Sequence, residues 1–272
     1  MNRAVIAIVA MFSMLAPVSA GAAQQTLRVG SDISYAPLEF YAPNSKRVEG
    51  FDYDLAQAIA TKMGAQASFE NHDFDSLLKS LNAGKYDLVI SAMNDTRQRA
   101  GQADFVDYFL AGSGILVQAG NPHHVFNLGS LCGMTVDLQR GTAQDAAIAA
   151  QSKHCTSIGL RPVTVLSYTT DSEALKQFLA GKSMAHISDY PVVSHLAHTL
   201  GGGKAYIVAG QQFGVVPYGI AISKKNAALR DRVQNALKAV IADGSYDALL
   251  KKWGLEQGAM RSAPVNAGTK FQ

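Results

Sequence analysis

Apolar and polar positions change their spacing repeatedly along this chain, and each change marks an element. Leu27-Arg28-Val29-Gly30 reads as a buried strand, followed by a loop from Ser31 to Pro37 that carries Asp32 and Tyr35. Phe51, Leu55, Ile59 and Met63 then recur every four residues, which predicts a helix; Asp52 and Asp54 suit its first turn and Gly64 its left-handed end. A strand around 67–70, a helix over 74–83 stopped by Gly84, and a strand over 86–90 complete a first unit. Strands alternating with helices at this spacing imply an α/β fold with a parallel, doubly wound sheet.

From Gly114 the pattern restarts. Ile115 to Val117 reads as a separate strand, Asn121-Pro122 breaks it, and a second unit opens at Met134-Thr135-Val136. Its first loop, Gln139-Arg140-Gly141-Thr142-Ala143-Gln144, is rich in donors and precedes a helical Ala run. A strand over 163–166, a helix over 171–180 and a strand over 184–188 that stops at Asp189-Tyr190-Pro191 follow. After Gly201-Gly202-Gly203 come strands at 205–209 and 218–222. Two closing helices follow, one striped by Leu229, Val233, Leu237 and Ile241, the other capped by Ser245. The Gly-, Ala- and Ser-rich segment 259–272 is expected to be loose.

The start of the chain changes the compartment. A basic Arg3, an apolar run over 4–18 and small residues at 19–23 form a cleavable signal peptide over 1–23, with cleavage after Ala20 or Ala23. No Cys lies nearby, so a lipid anchor is not expected, and the run falls short of the roughly 20 residues that span a bilayer. Without Arg3 the formal charge drops from +3 to +2, with Lys and Arg scattered, which gives no support for nucleic-acid binding. Cys132 and Cys155, an even pair in an exported chain, read as a disulfide. Closing a loop of about two dozen residues stabilises a fold by roughly 3.5 kcal/mol in the chain-entropy model. A zinc pair fits less well, because neither lies in a Cys-x-x-Cys spacing.

Candidate chemistry gathers where ligands gather in such sheets, beyond the carboxyl ends of the strands. Ser91-Ala92-Met93-Asn94-Asp95-Thr96-Arg97-Gln98-Arg99 follows an apolar strand directly. Small and polar residues there leave N–H, hydroxyl and amide donors for an anion, and Arg99 adds a two-pronged cation; the alternative is that Arg99 is a solvated helix-start residue. Asp32 either pairs with a cationic ligand or closes a turn in its own loop, the latter slightly favoured. Tyr35 reads as pocket, and Phe51 as either pocket lining or helix-start packing. His195 and His198 lie three apart without an acidic or Cys partner, so no metal site is expected. Gly181-Lys182-Ser183 is not a phosphate loop, since Lys176 stands where its first glycine belongs.

Several of these segments occur together in one family. Leu27 to Asp32 with Tyr35-Ala36-Pro37, Gly50-Phe51-Asp52-Tyr53-Asp54-Leu55, Asp87 to Ile90 with Arg99, Gln139 to Thr142, Asp189-Tyr190-Pro191, and Gly244-Ser245-Tyr246 with Lys252-Trp253-Gly254 appear in order. The chain thus resembles the family 3 extracellular solute-binding proteins of polar amino acid ABC transporters, over nearly its whole mature length. The resemblance implies a two-lobed periplasmic binding protein-like (type II) fold with two hinge crossings, lobe one formed by 24–113 plus 209–258 and lobe two by 114–208. It implies a periplasmic, monomeric protein without a cofactor that captures an L-amino acid, or a close analogue, and delivers it to an inner-membrane ABC permease.

By the same resemblance, Arg99 grips the ligand carboxylate with Ser91, Asn94, Thr142 and Ala143, and Asp189 pairs with its ammonium. Asp32, Tyr35, Phe51, Met93, Gln139 and Ser188 line the rest of the pocket. Many relatives carry Ser or Thr at Asn94, and a hydroxyl or Gly at Ala143, which here offers only its backbone N–H. Two alternatives use the same fold: an enzyme similar to periplasmic cyclohexadienyl dehydratases, which needs a general acid in the cleft, and a receptor that feeds a membrane sensor. The reading preferred is that the protein is not an enzyme.

Overall fold

The structure, a computed structural model, describes residues 25–271. The signal-peptide assignment to 1–23 lies outside the described residues. Twelve strands are described: β1 (Gln25–Ser31), β2 (Ser34–Tyr35), β3 (Glu39–Tyr41), β4 (Val48–Glu49), β5 (Ala65–Asn71), β6 (Leu88–Val89), β7 (Asp104–Gln118), β8 (Thr135–Gln139), β9 (Thr164–Tyr168), β10 (Ala185–Asp189), β11 (Tyr206–Val208) and β12 (Phe213–Ile222). The α-helices are α1 (Phe51–Lys62), α2 (Leu77–Asn82), α3 (Arg97–Ala100), α4 (Ala143–Ser157), α5 (Asp171–Leu179), α6 (Tyr190–Thr199), α7 (Ala227–Ala242) and α8 (Ser245–Trp253). Among the described residues no helix is long and apolar enough to cross a membrane.

Nine strands form one curled sheet in the order β5-β1-β6-β12-β7-β10-β8-β9, with β11 also on β7. The parallel set β5-β1-β6 and the parallel set β10-β8-β9 lie on opposite sides of the antiparallel pair β7 and β12. Each side has its own core. Leu27, Val29, Leu55, Ile59, Val106 and Leu237 pack in one, and Ile115, Val136, Leu138, Ile148 and Ile187 in the other. The fold is therefore two α/β lobes, with β7 and β12 running through both.

Two strand readings change here. Residues 104–118 form one strand where a break at Gly114 was expected. Glycine there permits close approach instead of a turn: a Cβ on Gly114 would lie 2.4 Å from Val193 Cγ2. The loop after β1 also folds into a three-stranded meander, β2-β3-β4. It enters α1 through Gly50 at φ 130, where a Cβ would sit 2.0 Å from the Leu38 carbonyl oxygen. This meander sets Tyr35 and Glu39.

The helices follow the apolar stripes. α1 buries Phe51, Leu55, Ala56 and Ile59, and α7 buries Leu229, Val233, Leu237 and Val240, while Ile241 of the expected stripe is partly buried. Ser245 is the first residue of α8 instead of its cap, which is the left-handed Gly244. The disulfide is present: Cys132 and Cys155, 23 residues apart, join the segment before β8 to α4.

The C-terminal segment, expected to be loose, is docked along β7. Asn266 N–H donates to the Phe105 carbonyl (2.9 Å), Ala267 N–H to Asp107 Oδ2 (2.9 Å) and Gly268 N–H to Asp95 Oδ2 (2.7 Å). Ala263 and Ala267 are buried. Small residues, read as a sign of disorder, instead let the backbone lie flat on the sheet edge. Burial and the nearby Asp95 raise Asp107 to about 8, against the pull of the Ala267 N–H.

Docking leaves no room at Gly268, where a Cβ would stand 1.7 Å from the Asp95 carbonyl oxygen. Gly268→Ala is expected to cost about 1–3 kcal/mol through overpacking. At about 2–4 °C per kcal/mol for a chain of this size, the unfolding midpoint should fall by several degrees. An unchanged midpoint in scanning calorimetry would show that the segment is not held there.

Candidate functional site

The carboxyl ends of β1 and β6 face those of β8 and β10 across the sheet's crossing strands, and their loops meet. Asp32, at the end of β1, serves both roles proposed for it. Ser34 Oγ donates to its Oδ1 (2.8 Å) and closes the local turn, while Gln139 Nε2 from the other lobe donates to its Oδ2 (2.5 Å). Ser91 Oγ accepts from Asp32 N–H (3.0 Å) and donates to Glu39 Oε1 (2.8 Å), which joins β6, β1 and the meander. Ala92 adopts φ 44, uncommon for a residue other than glycine. Its N–H donates to Asp52 Oδ2 (2.7 Å), and Tyr108 Oη donates to the same carboxylate. Asp52, read only as a first-turn acid, is thus the brace beneath the Ser91–Asn94 turn.

From the second lobe, Thr142 caps α4 by accepting from Asp145 N–H (3.2 Å). Asp189 caps α6 by position, but both of its oxygens face inward. Gln144 Nε2 donates to Oδ1 (2.6 Å), and Tyr35 Oη, reaching from lobe one, donates to Oδ2 (2.9 Å). Ser188 Oγ lies 2.8 Å from the same Tyr35 hydroxyl.

Together Asp32, Tyr35, Glu39, Phe74, Ser91, Ala92, Asn94, Gln139, Thr142, Gln144 and Asp189 line a narrow cavity of ≈ 10 Å³, space for about one water molecule with the lobes closed. Arg99 borders it from the mouth, half-buried. Its Nη1 donates to the Asn94 carbonyl and its Nη2 to the Gly141 carbonyl of the opposite lobe, both at 3.1 Å, and its guanidinium carbon lies 5.1 Å from the Phe74 ring centre. Met93, Arg99 and Ala143 line the outer opening next to the cavity, with Phe74 and Thr142 between the two spaces. Arg140 Nε to Asp75 Oδ2 (2.9 Å) bridges the lobes at that opening.

Phe51 is the sequence-predicted residue that the structure does not bring to the site. It is fully buried in the lobe-one core, with ring centres of Tyr108, Phe109 and Tyr246 at 6.2, 5.8 and 6.1 Å. As first residue of α1 its side chain folds under the sheet, and Phe74 supplies the cavity's aromatic wall. Glu39, Phe74 and Gln144 were not singled out. Glu39 is the inward residue of a three-residue strand, too short for alternation to show. Gln144 lies in the donor-rich loop already noted and was the most accessible of the three to sequence reasoning.

Burial dominates the electrostatics. It raises Asp32 to about 6 against hydrogen bonds from Ser34 and Gln139, and Asp189 to about 6 against those from Tyr35 and Gln144. Burial, together with the neighbouring Asp52, lifts Glu39 far above the ordinary carboxyl range, and one Glu39 oxygen has no hydrogen-bond partner. Burial lowers Arg99 to about 10, opposed by the charge of Asp189. The cleft thus presents anionic and cationic groups, poorly matched to each other, around a narrow closed space.

The family model of bacterial extracellular solute-binding proteins, family 3, matches residues 27–256. The chain is 31% identical over 245 residues to ABC transporter arginine-binding protein 1 of Escherichia coli (strain K12), covering 89% of this chain and 96% of that one. Among solved structures it is similar to an ancestral arginine-binding protein bound to arginine, with TM-score 0.77 and 34% identity, covering 85% of this chain and 98% of that one. It is also similar to the ancestral amino acid-binding protein AncCDT-1, a precursor of cyclohexadienyl dehydratase, with TM-score 0.75 and 31% identity, covering 84% and 95%.

Carboxyl-detected NMR of the ligand-free protein should show Asp32 and Asp189 titrating near 6 instead of 3.8. Their folded-state values lie above the unfolded ones. The stability they contribute is therefore fully present below pH 3.8 and lost as pH rises through about 6. Midpoints below about 4.5 would contradict the burial argument.

Proposed function

The chain belongs to the bacterial extracellular solute-binding proteins of family 3, and we propose that its ligand is a cationic L-amino acid whose every charge meets a partner between the two lobes. It is a periplasmic amino acid-binding protein of an ABC transporter. We place it as a monomer, exported by residues 1–23, that hands its ligand to an inner-membrane permease.

The carrying observation is the pair of carboxylates on the cavity wall, Asp32 and Asp189, against the single guanidinium of Arg99 at its edge; Glu39, lifted far above the ordinary carboxyl range, adds no charge. A zwitterion removed from water needs both charges matched, because unpaired burial of either is costly. Asp189 takes the ammonium. Arg99 takes the carboxylate, with Ser91, Asn94 and Thr142 beside it and the Ala143 N–H at the start of α4. That leaves Asp32, which now accepts only from the neutral donors Ser34 and Gln139. A cationic side chain would give it a charge-assisted bond, roughly twice as strong as a neutral one. Tyr35, Gln139 and Ser188 complete the wall, Met93 supports it from the outer side, and Phe51 supports it only through the core.

Contacts made by both lobes exist only when they are closed, so a ligand that bridges them shifts the hinge equilibrium toward the closed form. We assign the protein no reaction of its own. Of the two glutamates that position along the chain alone does not place, Glu173 is engaged in the capping box with Thr170, and Glu39 accepts from Ser91.

In a thermal-shift screen of the twenty amino acids, arginine, lysine and histidine should raise the midpoint most; a larger shift with a neutral or acidic amino acid would overturn the cationic assignment. Prephenate and arogenate should be recovered unconverted. Arg99→Ala is expected to cost about 2–5 kcal/mol of binding by calorimetry, the usual loss when one partner of a buried charge pair is removed. Affinity within twofold of the unaltered protein would contradict its place in the site.

A further inference from the structure

Behind the Ser91–Arg99 turn lies a pair of carboxyls that ligand contacts do not use. Asp95, next to Asn94, and Asp107 on β7 are both fully buried. Each gives one oxygen to the C-terminal segment: Gly268 N–H donates to Asp95 Oδ2 (2.7 Å) and Ala267 N–H to Asp107 Oδ2 (2.9 Å). The other oxygen of each, Oδ1, has no donor from the rest of the protein. The two carboxyls lie within hydrogen-bonding reach of each other, Asp107 as the donor and Asp95 as the acceptor. An ionised carboxylate only accepts, so both Oδ1 atoms stay unfilled until one proton lies between them. Two such groups side by side do not both ionise readily, and one keeps its proton. Burial, aided by the charge of Asp95 and opposed by the Ala267 N–H, raises Asp107 to about 8, and burial raises Asp95 as well.

The elements around the pair direct their own charges elsewhere. Asp104 on β7 meets Arg230 of α7 (2.8 Å) and Lys224 (4.0 Å). On α3, Arg99 donates to the Asn94 and Gly141 carbonyls and Arg97 is exposed, as is Lys270 in the C-terminal segment. From β12, Gly219 closes the gap, since a Cβ there would lie 2.8 Å from Asp107 Oδ1. Its N–H donates to the Met93 carbonyl (2.9 Å), and Asp95 N–H donates to the Pro217 carbonyl (2.8 Å), so β12 holds one side of the turn. The C-terminal segment holds the other. Between these two anchors, the Asn94 carbonyl accepts from Arg99 Nη1 (3.1 Å), so a shift of Asp95 carries the guanidinium with it. The residues that fasten this side, Ala267 and Gly268, lie beyond the family match, which ends at residue 256.

Resting on the amino acid-binding reading above, we propose that Asp107 is a positioning residue for the ligand carboxylate: the one proton it shares with Asp95 fastens the C-terminal segment to the back of the Asn94–Arg99 turn. With the proton in place, all four carboxyl oxygens are used, two by the segment's N–H groups and two by each other. Its loss sets two negative groups face to face in a buried site, and the turn and the segment part. The folded-state value of Asp107 lies above the unfolded one. The stability the group contributes is therefore full below pH 3.8 and lost as pH rises through about 8, where the proton leaves.

Calorimetry with L-arginine at pH 7 and pH 9 tests this on the full mature protein. Asp107→Asn keeps a hydrogen between the two groups at either pH, its amide donating to Asp95 while its oxygen accepts from Ala267. One unit above the midpoint only about one pair in eleven holds its proton. Between pH 7 and 9 the affinity of the unaltered protein should therefore fall about tenfold more than that of Asp107→Asn; titration of the ligand and of the cleft is common to both and cancels. At pH 9 the amides of residues 266–268 should exchange with deuterium faster in the unaltered protein than in the variant. Asp95→Asn supplies the hydrogen from the other side and serves if Asp107→Asn does not fold. An equal pH dependence of affinity in the unaltered protein and the variant, or equal exchange at 266–268, would overturn the proposal. If the unaltered protein binds no amino acid at either pH, the parent reading fails instead, and the exchange at 266–268 still reads the fastening by itself.

Discussion

Carboxylates held away from water between two lobes are the constraint on which the rest of this structure depends. Asp32, Glu39, Asp52 and Asp189 are all buried, and burial pushes each of them toward its neutral form. Such groups are tolerated only where hydrogen bonds or opposite charges compensate them. Here the compensation is partial and comes mainly from neutral donors: Ser34 and Gln139 for Asp32, Gln144 and Tyr35 for Asp189, Ser91 for Glu39. A closed protein without its ligand is thus complete in shape and incomplete in charge, a condition that a bound cation relieves.

The backbone architecture makes that condition reversible. Each lobe has a separate apolar core, so the cleft between them divides neither core. The continuous connections are the long β7 and its partner β12, whose pairing carries register irregularities between Phe213 and Val216 and between Tyr218 and Gly219. Two compact bodies joined by a short crossing permit hinge motion. The polar contacts that close them are Tyr35 with Asp189 and Ser188, Asp32 with Gln139, Arg99 with Gly141 and Arg140 with Asp75.

Much of the fold and the site was legible because the information is local. Four-residue apolar spacing marked α1 and α7, and residues just beyond strand ends in an α/β sheet share one edge wherever they fall in the chain. That is why Asp32, Ser91, Thr142 and Asp189, far apart in sequence, arrive at one cavity. Choices that depend on packing were not legible. Phe51 and Phe74 both stand where a helical segment begins, and only the aromatic neighbours Tyr108, Phe109 and Tyr246 draw Phe51 into the core. The C-terminal segment looked loose by composition, but acceptors on Asp95 and Asp107 hold its backbone. His186 sits mid-strand, and its neighbours Asp137 and Asp171 lie on other elements.

Recognition turns on the orientation of a charged ligand between Asp189, Arg99 and Asp32. A crystal structure of the complex with L-arginine tests it most directly. The α-ammonium is expected at Asp189, the α-carboxylate at Arg99 and the guanidinium directed to Asp32. A ligand bound the other way round, with its guanidinium on Asp189, or bound outside the cleft, would contradict it.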